Sequence, residues 1–305
     1  MMKTLILKSD RGSFEKFYIK NMTLSGVTTE AIYRPMNEIL RYFSVVWLQK
    51  LNIPFGSIWY GRWKKKLSSY DKVIIFESYN WNIIEYIKHK NPRCRIIVWY
   101  WNPITEKNRL PVKYRNMCEE WSFDKANCEK YHLNYNVQFT FKRLFLNRIR
   151  NKGNYMYFVG KDKGRGKILK DLKDCLETSN LETKFIIVKD KTSALKGVNY
   201  SNPISYEQNL QYLLDALCIV DIVQKQQTGL TVRCVEALYL QKKIITNNVQ
   251  IRKYSFFNSN NIYILKESKI YVNELLEFIA KPYVPLEDSV YDKYDFANWC
   301  ENFDL

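Results

Sequence analysis

With 305 residues, 46% of them apolar, and only ten glycines and eight prolines, the chain has material for two ordinary domains and little sequence for long flexible linkers. Its longest apolar stretches, Arg95–Trp101 and Leu210–Val223, are too short or too interrupted by aspartates to span a bilayer, and Met1–Ser9 lacks a signal-peptide core, so an intracellular protein is expected. A formal net charge of +17 asks for an anionic partner: nucleic acid, an anionic membrane face or an anionic small substrate.

Seven scattered cysteines without a C-x-x-C spacing fit reduced, buried thiols better than disulfides or zinc. Only His89 and His132 are present, which argues against a histidine-based metal site. The cations cluster at Arg62–Lys66 (RWKKK), Lys88–Arg95 and Lys142–Lys152 (KRLFLNRIRNK). Aromatic residues interleaved at Trp59–Lys66 and Phe139–Ile149 make these two stretches candidates for lying on a membrane surface, against the plainer alternative of solvated basic faces.

In chain order, Thr4–Lys8 reads as a buried strand that ends in the turn-rich Ser9–Gly12. Phe14–Asn21 reads as a helix with Ser13 as its cap. Strands are predicted at Val73–Phe76, Arg95–Trp101 and Glu120–Phe123, with helices at Trp81–Lys88 and Asp124–Tyr131. A second series begins with the strand Met156–Val159, the basic loop Gly160–Lys167 and the helix Ile168–Thr178. The strand Lys184–Val188 and the helix Tyr206–Ala216 follow, and near the end come the strand Ile262–Leu265, the helix Val272–Ala280 and a last helix over Asp292–Asn302. Alternation of strand and helix implies parallel sheets covered by helices. The boundary between the two series is expected near Phe145–Asn154.

The centre of the second series is Asp221–Asn248. An apolar strand, Ile219–Val223, breaks at Gln224–Thr228. Gly229 is expected to allow a tight turn, Leu230–Leu240 a helix, and Lys243–Thr246 a strand. Leu230, Cys234, Ala237, Leu238 and Gln241 recur at helical spacing. A helix N-terminus suits a phosphate, and Arg233 adds a planar fork able to grip one. Glu236 lies one turn further in, placed to accept from a sugar hydroxyl. An exposed ion pair between Arg233 and Glu236 is the plain alternative.

Gly160–Lys167 (GKDKGRGK) is neither a Walker A loop nor a dinucleotide fingerprint: Gly160 and Gly166 are one residue too far apart for the former, and Ile168 stands where Ser or Thr is required. A basic loop between strand and helix, carrying Lys163 and Arg165, can still wrap a diphosphate. Polar residues directly after strands mark the ligand-facing ends of such sheets: Asp10, Glu77, Asn102, Asp124, Lys161–Arg165 and Gln224–Thr231.

FVGKDKGRGKIL at Phe158–Leu169, TGLTVRCVEALYLQKKIITNN at Thr228–Asn248, and VWYWNP and WSFDKANCEKY in the first half together resemble bacterial GT-B glycosyltransferases that build capsule, O-antigen or exopolysaccharide. The resemblance implies an α/β fold of two facing Rossmann-like domains with parallel sheets. It implies an acceptor-binding domain at 1–150, a nucleotide-sugar domain at 151–285, and a helix at 286–305 returning to the first domain. It implies a hexosyltransferase that needs neither metal nor cofactor and uses a nucleotide sugar, UDP-linked for preference. The acceptor would be a lipid-linked oligosaccharide, reached by a cytoplasmic protein resting on the anionic inner face of the bacterial membrane; no nucleic-acid partner is expected.

Glu236 is similar to the second glutamate of the family's E-x7-E motif, which contacts the nucleotide ribose. The first position falls on Thr228, a departure that unsettles the donor sugar and the retaining outcome. Lys163 and Arg165 match the family's basic loop. The donor site expected is therefore Gly160, Lys163, Arg165, Thr228, Gly229, Leu230, Thr231, Arg233 and Glu236. Glu77, Asp10 and Asp124 are the carboxylates expected to serve as catalytic base, Glu77 first, although Asp124 in SFDKAN also reads as a helix cap. A nucleic-acid-binding protein, an inactive nucleotide-sugar-binding relative and a nucleotide-sugar epimerase are the rival readings.

Overall fold

The computed structural model describes residues 3–45, 56–77, 80–146, 153, 155–266 and 270–303. They form two compact units, Met1–Asn136 and Val137–Leu305.

The first unit holds strands β1 (Thr4–Lys8), β2 (Thr28–Ala31), β3 (Lys72–Phe76), β4 (Arg95–Tyr100), β5 (Glu119–Ser122) and β6 (Asn134–Tyr135), all parallel, in the order β2-β1-β3-β4-β5-β6. Its helices are α1 (Ser13–Leu24), α2 (Glu38–Val45), α3 (Asn82–Lys90) and α4 (Lys125–Tyr131). The apolar runs LIL, VIIF and IIVWY are buried on both faces, as a helix-covered parallel sheet demands. Leu5, Leu7, Val73, Ile75, Ile96, Val98 and Tyr100 join one core with Ile83, Ile84 and Ile87 of α3. On the alternate positions, Trp101 packs with Phe14 and Tyr18 of α1. Helix α1 begins after Gly12 without a side-chain cap, so the expected cap at Ser13 is corrected: Ser13 is already the first helical residue. Between β2 and β3 the chain makes an excursion with a tied neck. Arg34 N donates to Trp59 O at 2.9 Å, Gly61 N to Ile32 O at 3.0 Å, and Trp63 Nε1 to the same Ile32 O at 3.0 Å.

The second unit holds β7 (Tyr155–Lys161), β8 (Thr183–Val188), β9 (Tyr200–Ser201), β10 (Ala216–Asp221), β11 (Lys243–Thr246) and β12 (Ile262–Ile264), again parallel, in the order β12-β11-β10-β7-β8-β9. Helices α5 (Gly166–Thr178), α6 (Tyr206–Asp215), α7 (Val232–Tyr239), α8 (Val272–Ala280), α9 (Asp288–Asp292) and α10 (Phe296–Glu301) accompany it. The last helix expected over 292–302 is therefore shorter: α9 ends at Asp292, and α10 starts afresh after the cap Asp295, which accepts from Ala297 N. Helix α10 packs on Val137–Phe145, and α9 reaches this strip through the Lys142–Asp292 ion pair. The Phe139 ring lies 4.6 Å from that of Trp299 and 5.2 Å from that of Phe296, and Thr140 bridges Asp295. This strip belongs with the second unit, so the structural boundary at Asn136/Val137 precedes the one read near 150.

Each sheet reverses its direction of growth once, in the first unit between β1 and β3 and in the second between β7 and β10. Neighbouring loops leave a sheet in opposite directions at such a point, which opens a crevice at the carboxyl ends of the two strands.

Candidate functional site

At the β7/β10 reversal two guanidinium groups lie against one ring. The Phe158 ring centroid is 5.1 Å from Cζ of Arg233 and 5.4 Å from Cζ of Arg165. Asp221, the last residue of β10, holds Arg233 through one oxygen: Oδ1 accepts from Nε at 3.1 Å and Nη2 at 2.9 Å, and Arg233 Nη1 donates to Val159 O at 2.8 Å. Thr231 caps α7, accepting from Cys234 N at 3.2 Å while its hydroxyl donates to the same Asp221 oxygen at 2.7 Å. Arg165 is tied to carbonyls, from Nε to Asp162 O at 3.0 Å, from Nη1 to Ile222 O at 2.5 Å and from Nη2 to Lys161 O. Burial, reinforced by Arg233, pushes the Arg165 guanidinium down to about 9.

Gly160 fits between the two cations. A Cβ there would stand 3.1 Å from Arg233 Nη1 and 3.3 Å from Arg165 Nη2, so a side chain at this position would press on both guanidiniums. The result is two like charges held close, with one partly buried ion pair between them. Such an arrangement favours a ligand that brings negative charge, and it lies beside the N-terminus of α7.

The expected donor residues divide. Gly160, Arg165, Thr231 and Arg233 converge here. Lys163 is exposed, with φ 49°, on a loop that is fastened rather than free: its N donates to Asp190 Oδ2 at 3.0 Å, Gly164 N to Thr192 Oγ1 at 2.8 Å, and Gly166 N to Asp162 Oδ1 at 2.8 Å. Thr228 O accepts from Asn248 Nδ2 at 3.0 Å, Gly229 is buried, and Leu230 is part of the core. The left-handed residue of this loop is Gln226, φ 72°, which corrects the turn expected at Gly229. Glu236 is 1% exposed and accepts from the Tyr206 hydroxyl. The plain alternative of an Arg233–Glu236 surface pair fails, since Arg233 pairs with Asp221. Burial pushes the Glu236 carboxyl up to about 7, with Tyr206 and Arg233 opposing.

In the first unit, Glu77 follows β3. Its Oε2 accepts from Asn102 N at 3.1 Å and Nδ2 at 3.2 Å, and its Oε1 from Asn108 Nδ2 at 2.8 Å; burial nevertheless holds its carboxyl above the usual range. Asp10 is half-buried just past β1. Asp124 is fully buried and caps α4, accepting from Asn127 N at 3.3 Å, so the capping reading holds for it.

The basic clusters also divide. Trp63 of RWKKK is wholly buried and Trp59 nearly so, whereas Arg62, Lys65 and Lys66 are exposed: the cations face solvent and the aromatics do not, which corrects the reading of interleaved membrane-facing aromatics there. Lys142 pairs with Asp292 at 2.5 Å, and residues 147–152 of the second cluster lie outside the described residues. Among the described residues no helix is long and apolar enough to cross a membrane, and no three His, Cys, Asp or Glu side chains converge as metal ligands would.

Sequence reasoning passed over Phe158 and Asp221 as site residues, and Lys8 in the first unit, while Asp162 was included only within the ligand-facing stretch Lys161–Arg165. For two of them a signal was present. Asp221 closes the apolar run ALCIV, and Lys8 closes TLIL at a position whose alternation calls for an apolar residue.

A scan of protein-family models and a search of curated proteins find no match. Solved structures do match across the whole chain. Anabaena HepE, solved with UDP and glucose, shares 11% identity over 100% of this chain and 98% of its own, with a TM-score of 0.58. AviGT4, a glycosyltransferase involved in avilamycin A biosynthesis, shares 10% over 100% and 96% with a TM-score of 0.55. A DNA-modifying β-glucosyltransferase, studied with and without uridine diphosphoglucose, shares 13% over 100% and 98% with a TM-score of 0.54. The likeness is one of fold: two Rossmann-like α/β domains of the GT-B kind.

Proposed function

We propose that the chain is a glycosyltransferase that moves a sugar from a nucleoside diphosphate sugar, UDP-linked, to a hydroxyl of a growing, lipid-linked surface polysaccharide. The observation that carries the reading is the pair Arg165 and Arg233 at the β7/β10 reversal, on a fold whose solved neighbours include one bound to UDP and glucose. In this reading the bond from the anomeric carbon to the diphosphate oxygen breaks and its electron pair stays with the diphosphate. The two arginines and the first turn of α7 stabilise that charge. The acceptor oxygen forms the new bond to carbon. Its proton goes to a carboxylate if configuration inverts, with Glu77 preferred, or to the departing diphosphate if it is retained. Asp124 drops out of that role, because it is fully buried as a cap. Neither a metal nor a cofactor is required by this scheme.

Membrane docking of the first unit is supported by α2, which leaves Ile39, Tyr42 and Phe43 more than half exposed on the excursion whose neck leads into Arg62, Lys65 and Lys66. Exposed apolar side chains and exposed cations in the same segment between β2 and β3 suit an anionic bilayer face.

A thermal-shift panel of nucleotides and nucleotide sugars tests the reading. A ligand at a hundredfold its dissociation constant adds about 2.7 kcal/mol, and UDP or a UDP-sugar is expected to be that ligand. Stabilisation by single-stranded nucleic acid alone would refute it. Donor consumption with no transferred product would point to an epimerase.

A further inference from the structure

Lys8 is the anomaly of the first unit. It is 5% exposed at the carboxyl end of β1, on the sheet face covered by α1, and its Nζ makes no hydrogen bond or ion pair among the described residues. Instead Nζ lies 4.6 Å from the ring centroid of Trp101 and 4.8 Å from that of Phe76. Aromatic faces attract an ammonium but accept none of its three N–H groups as a carbonyl or hydroxyl would. Two carboxylates act on it from beyond contact distance, Glu15 in the first turn of α1 and Glu77 after β3. Glu77 already accepts at both oxygens. Glu15 makes no hydrogen bond or ion pair among the described residues, and its carboxylate lies over Gly12, where a Cβ would meet Oε2 at 2.3 Å. Phe14 and Trp101 remain half-exposed beside these groups. All of this stands at the β1/β3 reversal.

We propose that this end of the first sheet is a subsite for a neutral pyranose ring, with Lys8 donating to its hydroxyls, Glu15 accepting from them, and Phe14 and Trp101 providing apolar contact. The inference rests on the glycosyltransferase reading and specifies the acceptor's chemistry within it. A sugar offers hydroxyls that both donate and accept together with apolar C–H faces, and the subsite offers the complement of each. The two carboxylates decide against the alternatives. A uronic acid, a phosphate or a polynucleotide would meet the Glu15 and Glu77 carboxylates along with the Lys8 ammonium.

The test is saturation-transfer NMR and titration calorimetry on the full chain, with methyl hexopyranosides, methyl glucuronide, inorganic phosphate and a single-stranded oligonucleotide as probes and UDP titrated in parallel. Neutral methyl glycosides are expected to bind and the anionic probes not. Lys8→Met removes the donors, and Gly12→Ala displaces the Glu15 carboxylate without changing any charge. Each should weaken glycoside binding by about tenfold or more, as loss of a charged hydrogen bond does, while leaving UDP affinity alone. Three results would overturn the proposal: no glycoside binding by the wild type, equal or tighter binding of the anionic probes, or glycoside binding unchanged in both variants. Glycoside binding without UDP binding would instead overturn the transferase reading.

Discussion

A single carboxylate oxygen of Asp221 receives both Nε and Nη2 of Arg233. The pair joins the end of β10 to the first turn of α7, so the cation nearest the proposed diphosphate is aimed by the strand beneath it. Arg233→Lys keeps the charge and loses the fork. The expected result is a fall of about tenfold or more in UDP affinity, with about 1–3 kcal/mol of stability lost as Asp221 is left under-bonded. Calorimetric titration and chemical denaturation measure the two separately, and unchanged UDP affinity would remove Arg233 from the site.

Glu236 makes stability depend on pH. Its carboxyl is raised from 4.5 to about 7 in the folded state. Between those values the folded chain binds more protons than the unfolded one, so this group's contribution to stability falls as pH rises through that window and levels off above it. Glu236→Gln should flatten that decline, by up to about 3 kcal/mol across the window. Urea denaturation at pH 4.5, 5.5, 6.5 and 7.5 on both proteins checks it; parallel curves would show that Glu236 keeps an ordinary affinity for protons.

Lys8 is expected to be tolerated at a cost. Burial lowers its ammonium from 10.5 to about 8. Below pH 8 both states are charged and the folded state carries the penalty, which is relieved as pH rises from about 8 to 10.5 and the unfolded chain gives up its proton. Lys8→Met should therefore raise the melting temperature at pH 7, by the equivalent of about 1–3 kcal/mol. A lower melting temperature would mean that the aromatic faces outweigh the desolvation.

Docking to an anionic bilayer predicts two separable losses. Lys65→Glu with Lys66→Glu should abolish co-sedimentation with phosphatidylglycerol vesicles at low salt. Ile39→Ser with Phe43→Ser should weaken binding at every ionic strength, since apolar insertion is not screened. Unaltered sedimentation of both double variants would end the docking proposal.

The strands VIIF, RIIVWY and KIIT were legible because parallel strands buried on both faces leave unbroken apolar runs. By contrast β2 (TTEA), β6 (NY) and β9 (YS) were not, because these edge strands carry no apolar run, whereas the equally short edge strand β12 (IYI) does and was read. Residues 292–302 read as one helix because Phe296 and Trp299 share a face, but Asp295 as a cap restarts the chain there. Within the site, Arg165 and Arg233 were visible from their places at helix entrances. Their partners were not, since Asp221 lies twelve residues before Arg233 and Val159 seventy-four, and only the sheet order brings them together. Glu236 had the right spacing and the wrong surroundings: Tyr206, thirty residues away, closes over it.

Within the strip Val137–Phe145, Phe139 and Phe141 pack against Phe296 and Trp299 of α10, while Phe145 stacks on Tyr239 of α7. During synthesis, then, Phe139 and Phe141 wait for Phe296 and Trp299, made long after them, before this cover can form. Until that moment the nascent chain displays two naked phenylalanines beside a stretch rich in lysine and arginine, the kind of patch a chaperone shields. Closure over these two rings therefore follows the making of most of the second sheet.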